Sequence, residues 1–289
     1  MKKIFLVLLI LVLTAIPLLL TACNNVSQTD KLMQGYSCDE YELFTYNVYY
    51  KGGVVGEMTM KFEVVAGESR TLPSATEEGK TVTFTGKKGT LLSTDLKVGD
   101  DVITSRVLYT NGFSPIYSYK YTFIDGVTKE MQVDYRGKYL YAKRYENGKR
   151  TAYVREKASG MYDNEMLYAL VRASSVGDSS YSMSFSTVNA LTAAKDNLTI
   201  SKTGVTEEAI AVLKPADYVL PEGKTAFTLP CYNLRISTDN KYASTYSMTV
   251  AKARQTVKND TIDINNVHKI ITTITNGDYK YVLKDVKVV

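Results

Sequence analysis

The chain has 289 residues with a formal net charge of +5, 23 tyrosines, no tryptophan, 6 prolines, 3 cysteines and a single histidine. That length suits one large β domain or two small ones, and so mild a charge does not imply nucleic acid as a partner. One histidine, His268, leaves no multi-histidine metal site and little room for histidine-based catalysis.

In chain order, Lys2 and Lys3 form a positive start, Ile4 to Leu20 is apolar except for Thr14 and Pro17, and small Thr21 and Ala22 lead into Cys23. This is the layout of a secretory signal. A spanning helix wants about 20 apolar residues and basic residues after it, whereas Asn24-Asn25-Val26-Ser27-Gln28 follows here. Leu20-Thr21-Ala22-Cys23 resembles the bacterial lipobox, in which the cysteine receives a diacylglyceryl thioether. The expected organisation is a signal peptide over 1–22, a flexible lipidated tether over 23–36 and one β-rich domain over 37–289. The mature charge drops to about +3 when Lys2 and Lys3 are lost. Two acyl chains, at about 0.8 kcal/mol per buried methylene, hold a protein stably on a bilayer. The expected location is therefore extracytoplasmic, anchored to a bacterial membrane through Cys23, at the cell surface or in the periplasm. Asn24 is not the Asp associated with inner-membrane retention. With Cys23 lipidated, Cys38 and Cys231 remain as either a disulfide, worth roughly 5 kcal/mol for so long a loop, or two separate buried thiols.

Further on, the dominant period is two. Phe44, Tyr46, Val48 and Tyr50 share one face, and after Gly52-Gly53 the set Val54, Gly56, Met58, Met60, Phe62 and Val64 repeats it. That predicts a hairpin with one buried face. Val82 and Phe84 continue the pattern. A meander follows, punctuated by Asn111-Gly112, Asp125-Gly126, Arg136-Gly137 and Asn147-Gly148, with Asn276-Gly277 turning a last hairpin. Such pairs favour type I′ turns, which need positive φ twice. GMYDNEMLYALVRASS breaks the period: Asp163 is an acceptable N-cap, and Met166, Leu167, Leu170 and Val171 recur at helical spacing, predicting a helix from near Asn164 to near Ser174. Arg172 would sit favourably at its negative end. Residues 206–213 read equally as helix or strand.

YNVYYKGGVVGEMTMKFEV resembles the start of a bacterial envelope family, domain of unknown function 3108. YDNEMLYALVRA is similar to that family's central Asp–Tyr–Arg helix, and TLPCYNLRIS to a strand in its second half. The resemblance spans roughly 41–240. It implies the fold of the lipoprotein carriers LolA and LolB: a mainly β (α+β) domain in which a curved antiparallel sheet forms an incomplete barrel around one central helix. It implies no catalytic residues. The residue pattern of meander, helix and further strands agrees with that LolA-like architecture.

Signals for chemistry are weak. No G-x-S-x-G occurs, and the Gly-Lys-Thr triplets at Gly79 and Gly223 lack the earlier P-loop glycines, since Ser74 and Tyr218 stand there. Glu207-Glu208 and Asp260/Asp263 are unspecific acids. The expectation is a non-enzymatic protein without cofactor or metal. One reading has Met58, Met60, Phe62, Met131, Val133, Met166 and Leu170 lining a cleft between sheet and helix for a lipid or hydrophobic peptide; in the other, these side chains form a packed core. The alternative function is a structural or interaction lipoprotein that pairs through an edge strand or a basic, tyrosine-rich face. That face would come from residues 118–157, where ten Lys or Arg stand against five acids among Tyr119, Tyr121, Tyr135, Tyr139, Tyr141, Tyr145 and Tyr153. It would suit an anionic glycopolymer or lipid headgroups, unless it is a solvated outer face over a tyrosine-filled inner one.

Overall fold

The computed structural model describes residues 41–66, 70–73, 81–84, 88–177, 180–189, 194–214, 219–220, 222–239, 245–252, 258–259, 262–263 and 269–288. The signal, Cys23, the tether, Cys38, Gly79, Asp260 and His268 lie outside the described residues.

The chain opens with the hairpin β1 (Tyr41–Tyr50) and β2 (Gly53–Ala66), followed by the short pair β3 (Arg70–Pro73) and β4 (Thr81–Phe84). The meander is β5 (Lys88–Val98), β6 (Asp101–Tyr109), β7 (Pro115–Ile124), β8 (Val127–Arg136), β9 (Tyr139–Glu146) and β10 (Lys149–Lys157). After β11 (Tyr162–Asp163) come a 3-10 turn (Asn164–Met166) and the helix α1 (Leu167–Ala173). β12 (Ser182–Asn189), β13 (Ala194–Ala209), β14 (Thr228–Thr238) and β15 (Tyr246–Ala251) follow, then the short β16 (Lys258–Asn259) and β17 (Ile262–Asp263), and finally β18 (Ile271–Asn276) and β19 (Tyr279–Val288). Residues 206–213 resolve as the end of β13 and a 3-10 turn at Ala211–Leu213. Val82 and Phe84 belong to a separate two-stranded sheet, β3 with β4, and do not extend the main one.

Turn chemistry set the meander. Asp125-Gly126 (φ 51° and 77°) and Asn147-Gly148 (φ 47° and 73°) carry positive φ at both positions, the type I′ geometry that matches strand twist. The first hairpin turns one residue earlier than expected, at Lys51 (φ 48°) and Gly52 (φ 87°). At Asn111-Gly112 the left-handed position passes to Phe113 (φ 59°).

Fifteen strands form one sheet in the order β10-β9-β8-β7-β6-β5-β2-β1-β19-β18-β15-β14-β13-β12-β11. The pairings are antiparallel apart from β11 with β12. The sheet curls without closing. Val188 of β12 packs in one cluster with Met131, Val133, Leu140 and Ala142 of β8 and β9, although these strands stand near opposite ends of the order. Across the same seam Lys195 of β13 reaches Glu156 of β10 at 3.9 Å. The fold is thus mainly β, an incomplete barrel curved around one short helix.

The helix fills the concave side. Met166, Ala169, Leu170, Val171 and Ala173 are buried against β1, β2 and the far wing of the sheet in the principal core. Full burial of a Leu or Val side chain contributes roughly 1.5–3 kcal/mol, and this packing holds a helix far too short to be stable alone.

Candidate functional site

Asp163, Glu165 and Arg172 fasten the helical segment to β7, β8 and β1. Asp163 caps the 3-10 turn by accepting from the Glu165 amide at 2.8 Å, as its N-cap position predicts. Its other oxygen accepts from Ser118 Oγ of β7 at 2.6 Å and from the Tyr135 hydroxyl of β8 at 2.5 Å. Burial, and then the Glu165 charge, push its carboxyl up to about 6, while the hydrogen bonds from Ser118 and Tyr135 pull the other way. Beside it Lys120 Nζ meets Glu165 Oε1 at 2.7 Å. Burial works to lower the Lys120 pKa, but Glu165, by charge and by hydrogen bond, leads the opposing effects, and the net shift is upward. Tyr168 packs against the principal core, and burial, then the nearby Tyr246, Tyr281, Glu165 and Tyr46, raises its hydroxyl well above the ordinary value. Arg172, 1% exposed, pairs with Glu42 of β1, also 1% exposed, at 2.6 Å. Asp163 and Arg172 are thus anchors at the two ends of the helical segment, and Tyr168 packs between them.

Of the seven proposed liners, Met58, Met60, Phe62, Met166 and Leu170 sit in the principal core, packed with the helix, and Met131 and Val133 sit in a second cluster under β8 and β9. Cys231 is buried too, and its thiol, pushed up to about 12 by burial first, donates to the Leu229 carbonyl at 3.4 Å. Gly223 lies in an exposed turn with φ 78°, outside any phosphate-cradling helix start.

Open space lies at the rim of the sheet. A cleft of about 270 Å³ is walled by the β6–β7 turn (Gly112, Phe113, Ser114) with Pro115, by Tyr135, Gly137 and Tyr139 around the β8–β9 turn, and by Ala158, Gly160, Met161 and Tyr162 entering the helix. Ala158, Met161 and Tyr135 also cover the second cluster, so Met131 and Val133 pack behind the cleft wall and not in it. Phe113 holds a left-handed backbone that bulky residues rarely adopt, a cost of order 1–3 kcal/mol. The turn offsets it: Phe113 N donates to Thr110 O at 2.8 Å, Thr110 N to Ser114 O at 2.9 Å, and the Phe113 ring stacks on Tyr109 at 5.7 Å. Phe113 thus belongs to the principal core and at the same time forms part of the cleft wall. Tyr135 connects it inward, because its hydroxyl is the one bonded to Asp163. Sequence alternation could not find this site, since it is made by three connections distant in the chain.

The tyrosines of the meander lie opposite to the sequence alternative that filled the inner face with them. Register places Tyr119, Tyr121, Tyr139, Tyr141, Tyr145 and Tyr153 on the outer face, with Ser118, Lys120, Met131, Val133, Tyr135, Leu140, Ala142 and Arg144 facing the helix side.

No protein-family model matches the chain. No curated protein matches it either. Among solved structures it is similar to a beta-barrel-like protein of domain of unknown function DUF1849 from Brucella abortus, at 12% identity and a TM-score of 0.47, over 88% of this chain and 99% of that one.

Proposed function

We propose that the protein is a membrane-anchored, extracytoplasmic binding module without catalytic activity, whose ligand seat is the rim cleft. The observation that carries this reading is the cleft itself, where Phe113, Tyr135, Tyr139, Met161 and Tyr162 converge beside backbone polar groups on a rigid frame. Aromatic walls with a few fixed polar groups suit a ring or a short apolar chain. The space first expected between sheet and helix is occupied by Met60, Phe62, Met166 and Leu170, so the proposed seat moves to the rim. The lipobox-like Leu20-Thr21-Ala22-Cys23 supports the anchor, and the family resemblance carried by the β1–β2 hairpin and the helix supports a place among envelope domains of the 3108 type.

Native mass spectrometry of the protein extracted from its host membrane tests the cleft. The expected result is a co-purifying ligand, or saturable binding of an apolar dye, lost in Phe113→Ala and Tyr162→Ala. A clean apo mass with no dye bound would sink the reading. The anchor is tested with an alkyne fatty acid, and label retained in Cys23→Ala would refute it.

A further inference from the structure

The edge of the sheet next to the cleft carries a regular array. β9 and β10 pair so that Tyr145 stands opposite Arg150, Lys143 opposite Tyr153, Tyr141 opposite Arg155, and Tyr139 opposite Lys157. These four cross-strand rows lie on the outer face, because Leu140 and Ala142 between them point into the core. Each row therefore joins one tyrosine to one cation. Rows on one face repeat at about 7 Å, so the array extends about 20 Å along the strands.

The array is cationic and open along β10 and at Tyr139, whereas Lys143 and Tyr145 of β9 are buried beneath their neighbours. β10 is an edge strand, Tyr153 is 58% exposed and Tyr139 38%, and Arg150, Arg155 and Lys157 are exposed. The Arg155 guanidinium lies 4.1 Å from the Tyr139 ring centroid and 5.9 Å from that of Tyr141, a cation on aromatic faces with no acid engaged among the described residues. Of the acids nearby, Glu130, opposite Tyr145 on β8, accepts from the Gln132 amide. Asp134 holds Arg136 at 2.7 Å, and Glu156 alternates to the inner face, where it meets Lys195.

We infer that the outer face of β9 and β10 binds a linear anionic glycan, whose sugar rings lie on Tyr139 and Tyr153 and whose charged groups meet Arg150, Arg155 and Lys157. Each row offers a ring and a cation together, as each charged sugar of such a chain offers a ring and an anion. The array meets the cleft at Tyr139, so an end group of the bound chain can enter the cleft. This extends the binding role proposed above, yet its test is separate. Edge cations also discourage strand-to-strand aggregation, and charge reversal keeps that protection while abolishing attraction for an anion.

The test uses the full chain in zwitterionic nanodiscs, with dextran sulfate, neutral dextran, poly-L-glutamate and dihexanoyl phosphatidylglycerol as soluble probes in titration calorimetry. Dextran sulfate should bind at least tenfold tighter than dextran or polyglutamate, with a log–log salt slope of roughly −2 to −3 for three or four cations. Arg155→Glu with Lys157→Glu should weaken it tenfold or more while the melting temperature holds; the Gln pair should weaken it in the same direction, and Lys129→Glu, a cation off the array, should not. Tyr139→Leu with Tyr153→Leu should weaken dextran sulfate and leave polyglutamate unchanged. Equal binding of dextran and dextran sulfate, tyrosine-independent binding of polyglutamate as tight as dextran sulfate, or charge-dependent binding of the phospholipid alone would each overturn the inference. Loss of array binding with the cleft dye retained, or the reverse, tells the two proposals apart.

Discussion

Arg172 donates to Glu42 at 2.6 Å from between two aromatic rings, 4.7 Å from the centroid of Phe44 and 4.5 Å from that of Phe62. The ion pair crosses the apolar core from helix to first strand, and both partners are almost wholly desolvated. Such a pair gains little over an apolar replacement, but half of it is costly, because one charge is left buried. Arg172→Leu should therefore cost about 3–5 kcal/mol of unfolding free energy. Arg172→Leu combined with Glu42→Leu should recover most of that loss. Urea unfolding of the four species closes the cycle; a single-mutant cost under about 1 kcal/mol would mean the pair is not desolvated as described.

Asp163 should make stability fall as pH rises. Its carboxyl ordinarily titrates near 3.8 and is pushed up to about 6 in the fold. An acid with a raised folded pKa binds more protons folded than unfolded. Its contribution is thus complete below about pH 4 and is lost as pH climbs through 6, on the order of 3 kcal/mol in all. The stability difference between the wild type and Asp163→Asn should drift by that amount between pH 4 and 7, to the disadvantage of the wild type. A difference that stays flat across this window contradicts the assigned environment.

Lys269 predicts a stabilising substitution. It is 3% exposed with a left-handed backbone (φ 47°), its amine has no hydrogen-bond partner among the described residues, and burial lowers its pKa to about 8. A lysine with a lowered folded pKa opposes folding fully below pH 8, and the penalty fades as pH rises toward 10.5. Lys269→Met should raise stability at pH 7 by about 1–3 kcal/mol, with the gain shrinking by pH 10. Thermal melts at the two pH values measure it, and a destabilised variant at pH 7 would show that the amine is engaged.

Gly56 marks a close backbone approach. A Cβ there would stand 2.0 Å from the Lys97 carbonyl oxygen across the β2–β5 pairing, whereas at Gly53 the nearest atom would be Tyr50 O at 3.8 Å. Gly56→Ala should cost about 1–3 kcal/mol, and Gly53→Ala much less. Equal denaturation midpoints for the two variants would count against this β2–β5 approach.

Much of the architecture was legible in the chain. Alternation at Phe44, Tyr46 and Val48 and at Met58, Met60 and Phe62 fixed which face of the first hairpin is buried, because side chains alternate strictly along a strand. Asp163 and the spacing of Met166, Leu170 and Val171 located the helix for an equally local reason, a cap and a period. Turn pairs such as Asn147-Gly148 located the meander through their tolerance of positive φ.

Only the tertiary structure decided what those faces meet. Alternation says that Tyr139, Tyr141, Lys143 and Tyr145 share a side, and the curl of the sheet makes that side the outer one. Met60 and Leu170 read from the sequence either as liners or as core, and the closeness of helix to sheet made them core. The rim cleft joins Phe113, Tyr139 and Tyr162 across three connections, and Arg172 finds Glu42 130 residues away. Period and propensity act over a few residues, whereas cavities and buried charges are set by which distant segments the sheet brings together.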